Sequence, residues 1–292
     1  MFLGTMEDAI LFPIFVRQRR SKTRFKVGYI NNKGEGVIDP IFDYGTRFYE
    51  GLAAVEVRGR WGVINASGEF VIQPKPWSYL RFRDGLASVS VKDKWGIVDR
   101  TGSFVLQPKY DYLGPLREGF SLFKVGDFRV PGRYGFVDQK GVELTPAVFH
   151  NAYGFSEGLA AAKVGNLWGY VDPSGVFKIT PRFSGTRQVA GRIEDTKSGY
   201  FVNGLAPVCS GGDYRFIDTT GAFAFDGGFH EANSFCEGRA VVKVNKHCGF
   251  IDTKGNPVIE CRFNLARDFS EGLARVQEKA PQIGFSPPTR VH

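Results

Sequence analysis

The chain reads as an all-β protein made of tandem antiparallel β-meander units of about 34 residues, and three observations predict this. A block of the form acidic-Gly-apolar recurs with its glycine at Gly51, Gly85, Gly119, Gly158, Gly204, Gly238 and Gly272, at intervals of 34, 34, 39, 46, 34 and 34. A second block, aromatic-Gly, keeps step with it at Val27–Gly28, Trp61–Gly62, Trp95–Gly96, Tyr134–Gly135, Trp168–Gly169, Tyr214–Arg215, Cys248–Gly249 and Ile283–Gly284. Composition agrees: 37 Gly, 15 Pro and 27 Phe against two Met favour many short strands and turns over helices. A fixed period is the mark of repeat architecture.

The unit from 51 to 84 shows how each element arises. Leu52 to Val57 forms a strand, Arg58–Gly59 a tight turn and Arg60 to Asn65 a second strand. An Asn-x-x-Gly turn follows (Asn65/Gly68), then a third strand from Glu69 to Gln73. The turn recurs at Asp99/Gly102, Asp138/Gly141, Asp172/Gly175, Asp218/Gly221 and Asp252/Gly255. Its side-chain oxygen accepts a nearby backbone N–H, and its glycine takes positive φ. Pro40, Pro74, Pro108, Pro146 and Pro181 are expected to stop the third strand, because proline donates nothing to a ladder. A return segment ends near Phe48, Phe82, Leu116, Phe155, Phe201, Phe235 or Phe269. Strand one places Ala53, Val55 and Val57 on one side and Leu52 and Ala54 on the other, so both faces need covering by like neighbours.

Segments such as Glu50–Gly–Leu–Ala–Ala–Val, Arg60–Trp–Gly–Val–Ile–Asn and Phe70–Val–Ile–Gln–Pro74 resemble the bacterial WG-repeat family, also called KWG repeats. The resemblance runs from about Ile10 to Phe285. It implies β-repeat architecture and an interaction role, and it brings no catalytic residues. Tyr214–Arg215 and Cys248–Gly249 depart from the aromatic-Gly pattern, so the sixth and seventh repeats are expected to pack differently there.

Residues 1–292 are read as one array of about seven repeats, the last incomplete. A β-propeller-like ring is favoured, since the small Gly-Leu-Ala start of strand one suits a crowded axis. An open β-solenoid or superhelix is the alternative, because the N-terminal unit already holds three strands of its own. The end, SPPTRVH, matches no part of the repeat and is expected to be a cap or a truncation. No run reaches the roughly 18 apolar residues of a membrane span. The N-terminal MFLGTMEDAILFPIFV lacks the basic start and cleavage site of a secretory signal and is expected to form the first strand. Four cysteines (Cys209, Cys236, Cys248, Cys261) without a C-x-x-C pair suggest free thiols, hence a cytoplasmic protein, expected as a monomer.

Net charge is +8, but six basic residues fall between Arg17 and Lys26, and the remainder is close to neutral. That run (Arg17, Arg19, Arg20, Lys22, Arg24, Lys26) is placed at the tip of the first hairpin, where it could contact nucleic acid or an anionic surface. Only Phe25 accompanies it, so a solvated tip is the preferred reading and nucleic acid is not the expected partner. The largest irregularity is a 12-residue insertion between Pro181 and Gly204, at about 184–200, offering Arg187, Arg192, Glu194, Asp195 and Lys197. A second insertion of 5 residues lies around Asp127 to Arg133. Trp61, Trp95 and Trp168 sit at repeat positions and read as packing groups, whereas Trp77, off register, is the candidate for an exposed aromatic contact.

His230, Cys236, His247, Cys248 and Cys261 show no metal-ligand spacing, and the turn carboxylates stand too far apart for a calcium cluster, so no metal or cofactor is expected. Neither a nucleophile elbow nor a phosphate-binding glycine loop is present. The reading is therefore a non-enzymatic scaffold that binds a protein, peptide or glycan through rim loops. The alternatives are a hydrolase-like enzyme with a rim site and a weak nucleic-acid or anionic-surface binder using the basic hairpin.

Overall fold

A computed structural model describes residues 11–17, 25–78, 80, 82–126, 132–185 and 199–278. Among them every regular element is a β-strand, arranged as consecutive antiparallel meanders. No described helix is long and apolar enough to cross a membrane. Contacts cluster into two compact units, residues 1–155 with 173–175, and 156–172 with 176–292. Both are built from the same repeat.

In the second repeat, Leu52–Val57 pairs with Arg60–Asn65, and that strand pairs with Phe70–Lys75, while the short strand Tyr44–Gly45 lies on the other side of Leu52–Val57. The first two strands match the sequence reading to the residue. Their tip is a two-residue turn with φ of 50° at Arg58 and 74° at Gly59, the doubly positive geometry whose twist suits a hairpin.

Strand faces sort as the alternation demands. Ala53, Val55 and Ile64 join Leu11, Val27, Tyr29, Ile38 and Phe42 of the first repeat in one cluster. Their neighbours Ala54 and Val63 point the other way, into a cluster with Ala87, Val89 and Val98 of the third repeat. The sheet is thus sandwiched between two like sheets, each shielding the other's apolar face. A fully buried side chain such as Ile64 or Val55 contributes about 1.5–3 kcal/mol. The residue ending each return segment adds a second repeated contact. Phe48 packs on Tyr29, Phe155 on Phe136, Phe201 on Tyr170, Phe235 on Phe216 and Phe269 on Phe250, with ring centroids 4.9–5.1 Å apart.

The prolines correct one expectation. They do not end the third strand: Pro40, Pro74, Pro108, Pro146 and Pro181 lie inside Gly36–Phe42, Phe70–Lys75, Phe104–Tyr110, Glu143–Phe149 and Phe177–Phe183. The reason is a bulge. Between the pairs Trp168↔Phe183 and Tyr170↔Ile179, two steps along strand two face four along strand three. Proline fits there because the bulged segment leaves the ladder and needs no donor.

The same bulge explains the aromatic-Gly glycine. A Cβ at Gly169 would stand 2.4 Å from the Ile179 carbonyl oxygen and 2.7 Å from the Pro181 nitrogen. Gly28, Gly62, Gly96 and Gly249 meet the equivalent carbonyl at 2.4–2.8 Å. Backbone, not a movable side chain, occupies the space, so only glycine fits.

The sixth repeat tests this rule, because Arg215 stands in the glycine position. Its segment keeps the usual end pairings, Ile217↔Phe223 and Tyr214↔Phe229, but forms no continuous third strand between them. Gly227, with φ 97°, takes the place in the repeat that Pro181 and Cys261 hold elsewhere, and the chain bows aside. The small residue has in effect moved from the second strand to the third. The seventh repeat, by contrast, keeps its glycine and its third strand, Pro257–Phe263, with Cys261 at the bulge. The expected difference in packing therefore holds for the sixth repeat and not for this part of the seventh.

Carboxylates tie one repeat to the next. Each acidic-Gly pair is itself a doubly positive turn, with φ 52° and 74° at Glu50–Gly51 and 52° and 73° at Glu237–Gly238. The Glu50 carboxylate accepts the N–H groups of Asp84 at 2.6 Å and Gly85 at 3.1 Å, the corresponding turn one repeat on, and an ion pair from Arg100 at 2.7 Å. Glu157 does the same for Asn203 and Gly204, and Glu237 for Glu271 and Gly272. Asp84 and Asn203, one methylene shorter, make no such bond among the described residues. Within each repeat, the Asp-x-x-Gly oxygen accepts two N–H groups: Asp99 from Thr101 and Ser103, Asp218 from Thr220 and Ala222, Asp252 from Lys254 and Asn256.

Gly169→Ala is expected to lower stability by about 2 kcal/mol or more, read as a fall in the urea midpoint, since neither backbone segment can retreat cheaply. Conversely, Arg215→Gly combined with Gly227→Pro should lay down a regular third strand and slow amide exchange across 222–228; unchanged exchange would show that the bow has another cause.

Acid should loosen the array in a defined window. Asp99 and Asp218 are held below the usual carboxylate range first by the hydroxyls of Thr101 and Thr220, and Asp252 first by the Asn256 N–H. At Glu50 partial burial opposes this, but the two turn N–H groups and Arg100 outweigh it and leave the group lowered. A lowered pKa stabilises the fold above the unfolded value, about 4, and that contribution disappears as pH falls below it. The urea midpoint should therefore drop between about pH 4 and pH 2, and Glu50→Gln should flatten part of that drop.

Candidate functional site

The regular contacts account for the repeats on either side of the sixth. At the sixth repeat the bowed segment and the end of the fifth repeat's third strand frame an open recess of about 360 Å³. Arg182, Phe183, Ser210, Gly221, Ala222 and Phe223 line it.

Each lining group has a local cause. Arg182 is the penultimate residue of Phe177–Phe183, where alternation turns it outward; its guanidinium lies 5.1 Å over the Phe183 ring and Nη2 donates to the Gly221 carbonyl. Ser210 ends Leu205–Ser210 at the Gly211–Gly212 hairpin tip. Phe223 opens the bowed segment and is 42% exposed, whereas strand three elsewhere starts with a half-buried Phe70 or Phe104. Over its ring lies the Arg215 guanidinium carbon, 3.5 Å from the centroid. Arg215 pairs with Val208, and Asp213 with Ser210, so these four alternate on the same face of the hairpin. The Arg215 Nε is buried and has no hydrogen-bond partner, and Arg215 forms no ion pair among the described residues.

The large insertion leaves the fold beside this recess. Ser184 donates to the Cys209 carbonyl at 3.0 Å and Cys209 to that of Gly185 at 2.7 Å, which pins the chain next to Ser210 just before residue 186. Arg187, Arg192, Glu194, Asp195 and Lys197 themselves lie outside the described residues.

The other sequence candidates are scattered. Arg17 is exposed at the end of Phe12–Arg17, paired with Phe25, while Arg19, Arg20, Lys22 and Arg24 lie outside the described residues. Trp77 is a correction: it is 8% exposed, stacked edge-on against Phe104 at 5.8 Å and capped by Lys75 at 4.5 Å, so it is a core group and not a contact surface. Its indole fills the gap between the second and third repeats, beside Leu80 and Phe82, a burial that its place in a Pro-x-Pro-Trp turn does not reveal. The cysteines are free thiols; Cys248 is buried and pairs with Phe263, and burial raises the Cys261 pKa. No group of three or more metal-ligating side chains converges among the described residues.

Arg182, Ser210, Arg215 and Phe223 were not singled out as site residues by the sequence. One signal was there to find: an arginine in a slot that otherwise holds glycine.

No curated protein sequence matches the chain. Solved structures similar to it include Hsv2 of Kluyveromyces marxianus, at TM-score 0.46 and 9% identity over 81% of this chain and 90% of that one. Kluyveromyces lactis Hsv2p follows at TM-score 0.40 and 14% identity, over 70% and 71%. Likenesses at this level carry no argument about function. The family comparison is decisive: the WG containing repeat matches at residues 28–61, 61–95, 95–127, 134–168, 214–246 and 249–279, more than half of the chain. With the aromatic-Gly glycine explained by the bulge it faces, the chain belongs to the WG containing repeat family.

Proposed function

We propose that the protein is a non-enzymatic β-repeat scaffold that binds a protein, peptide or glycan at the recess of the sixth repeat. The observation that carries this reading is the coincidence of three departures at one place: Arg215 in the glycine slot, the missing third strand, and the insertion pinned beside Ser210. Irregularities in a repeat array are where recognition groups can be added without disturbing the shared core. The recess offers an exposed aromatic, the Arg182 guanidinium and a hydroxyl, and the Arg215 guanidinium is stacked on that aromatic ring, a set suited to orienting a ligand. Four free thiols fit action in a reducing compartment such as the cytoplasm.

The test is a screen of peptide and glycan arrays with the intact chain, followed by Phe223→Ala and by excision of residues 186–198. Ligands retained by the intact chain should be lost from Phe223→Ala at an unchanged urea midpoint, and weakened by the excision. Ligands held equally by all three proteins would place recognition elsewhere on the array.

A further inference from the structure

Resting on the recess as the binding site, we infer that its ligand is a peptide presenting a carboxylate, received by the guanidinium of Arg215 over the Phe223 ring. A guanidinium is charged at every accessible pH and offers five N–H donors in a planar fork that matches a carboxylate. Arg215 is partly withdrawn from water, yet makes no ion pair and leaves Nε unsatisfied among the described residues. That arrangement is costly for a structural arginine, since a desolvated donor without an acceptor has given up its water and gained no hydrogen bond in exchange. Nothing in the repeat requires it: with glycine at the same place the third strand closes over the second in a bulged but continuous strand, as at Gly169 and Gly249.

The surroundings fit an anion and a peptide in particular. Arg182, on the recess wall, adds a second positive charge, already oriented by Phe183 and the Gly221 carbonyl. Asp213 shares the face of Arg215 but forms no ion pair with it, so it leaves the guanidinium available. The exposed ring of Phe223 gives an apolar neighbour a surface next to the charge. Between Phe223 and Phe229 the chain forms no strand, although Ala224 donates to the Phe216 carbonyl and Phe229 pairs with Tyr214, so an extended peptide has an irregular backbone edge to lie along as well as side chains to meet. A sugar acid would use the charge but not the backbone.

The probe is a set of blocked peptides carrying a central Glu between apolar residues, each with a Gln twin, measured by fluorescence polarisation against the intact chain. Free glucuronate serves as the non-peptide carboxylate. Some Glu peptides should bind, and both the Glu-to-Gln exchange in the peptide and Arg215→Gln in the protein should weaken binding by about tenfold or more, with the two losses not additive. Failure of every Glu peptide to bind overturns the inference, as does equal binding of the Gln twins. Equal binding of the twins, abolished by Phe223→Ala, would overturn the carboxylate while sparing the recess as a binding site. Competition by glucuronate as strong as by peptide would assign the site to acidic sugars instead. Binding seen only after excising residues 186–198 would give the guanidinium to the chain's own Glu194 or Asp195, and overturns it too.

Discussion

The close approach of the third strand to the glycine of the second fixes the rest of this architecture. At Gly96 and Gly169 a carbonyl oxygen lies 2.4 Å from where a Cβ would be, a distance no side chain tolerates. To get that near, strand three must carry extra residues in a bulge, and the bulge must shed a ladder donor, which is why proline sits there and not at the strand's end. Glycine, bulge and proline are therefore one device. It bends the sheet's outer strand over its middle strand and lets Ile72, Leu106 or Ile179 reach down into the layer between repeats.

The layers are then held by contacts that make sense only in series. A carboxylate on one turn grips the next turn's N–H groups, and a return-segment aromatic packs on the middle-strand residue of the repeat before it. Each such contact is modest on its own, a charge-assisted hydrogen bond at an exposed turn or a ring pair at about 5 Å. Repetition makes them additive along the chain, and no repeat can bury its faces alone.

Against that uniformity the sixth repeat is chemically different. Placing arginine where glycine belongs abolishes the device locally and leaves a charged, aromatic-backed recess in its place. The neighbouring repeats keep their pairing, so the disturbance is confined. An array that isolates a defect in this way can carry a recognition surface without loss of its core, which is the physical basis for reading the recess as the working part of the molecule.

Local chemistry in the sequence determined the period, the strand and turn positions and the need for apolar cover on both faces. Leu52–Val57, the Arg58–Gly59 turn and Arg60–Asn65 follow from alternation and turn residues within a few positions of one another. The tertiary structure decided what depends on contacts between distant residues: that Pro181 lies within its strand, that Trp77 is buried against Phe104, and that Arg215 stacks on Phe223, which lines a recess with Arg182. A period reports what every repeat shares; a bulge or a recess depends on which backbone comes within a few ångströms of which side chain, and that is set only once the sheets are stacked.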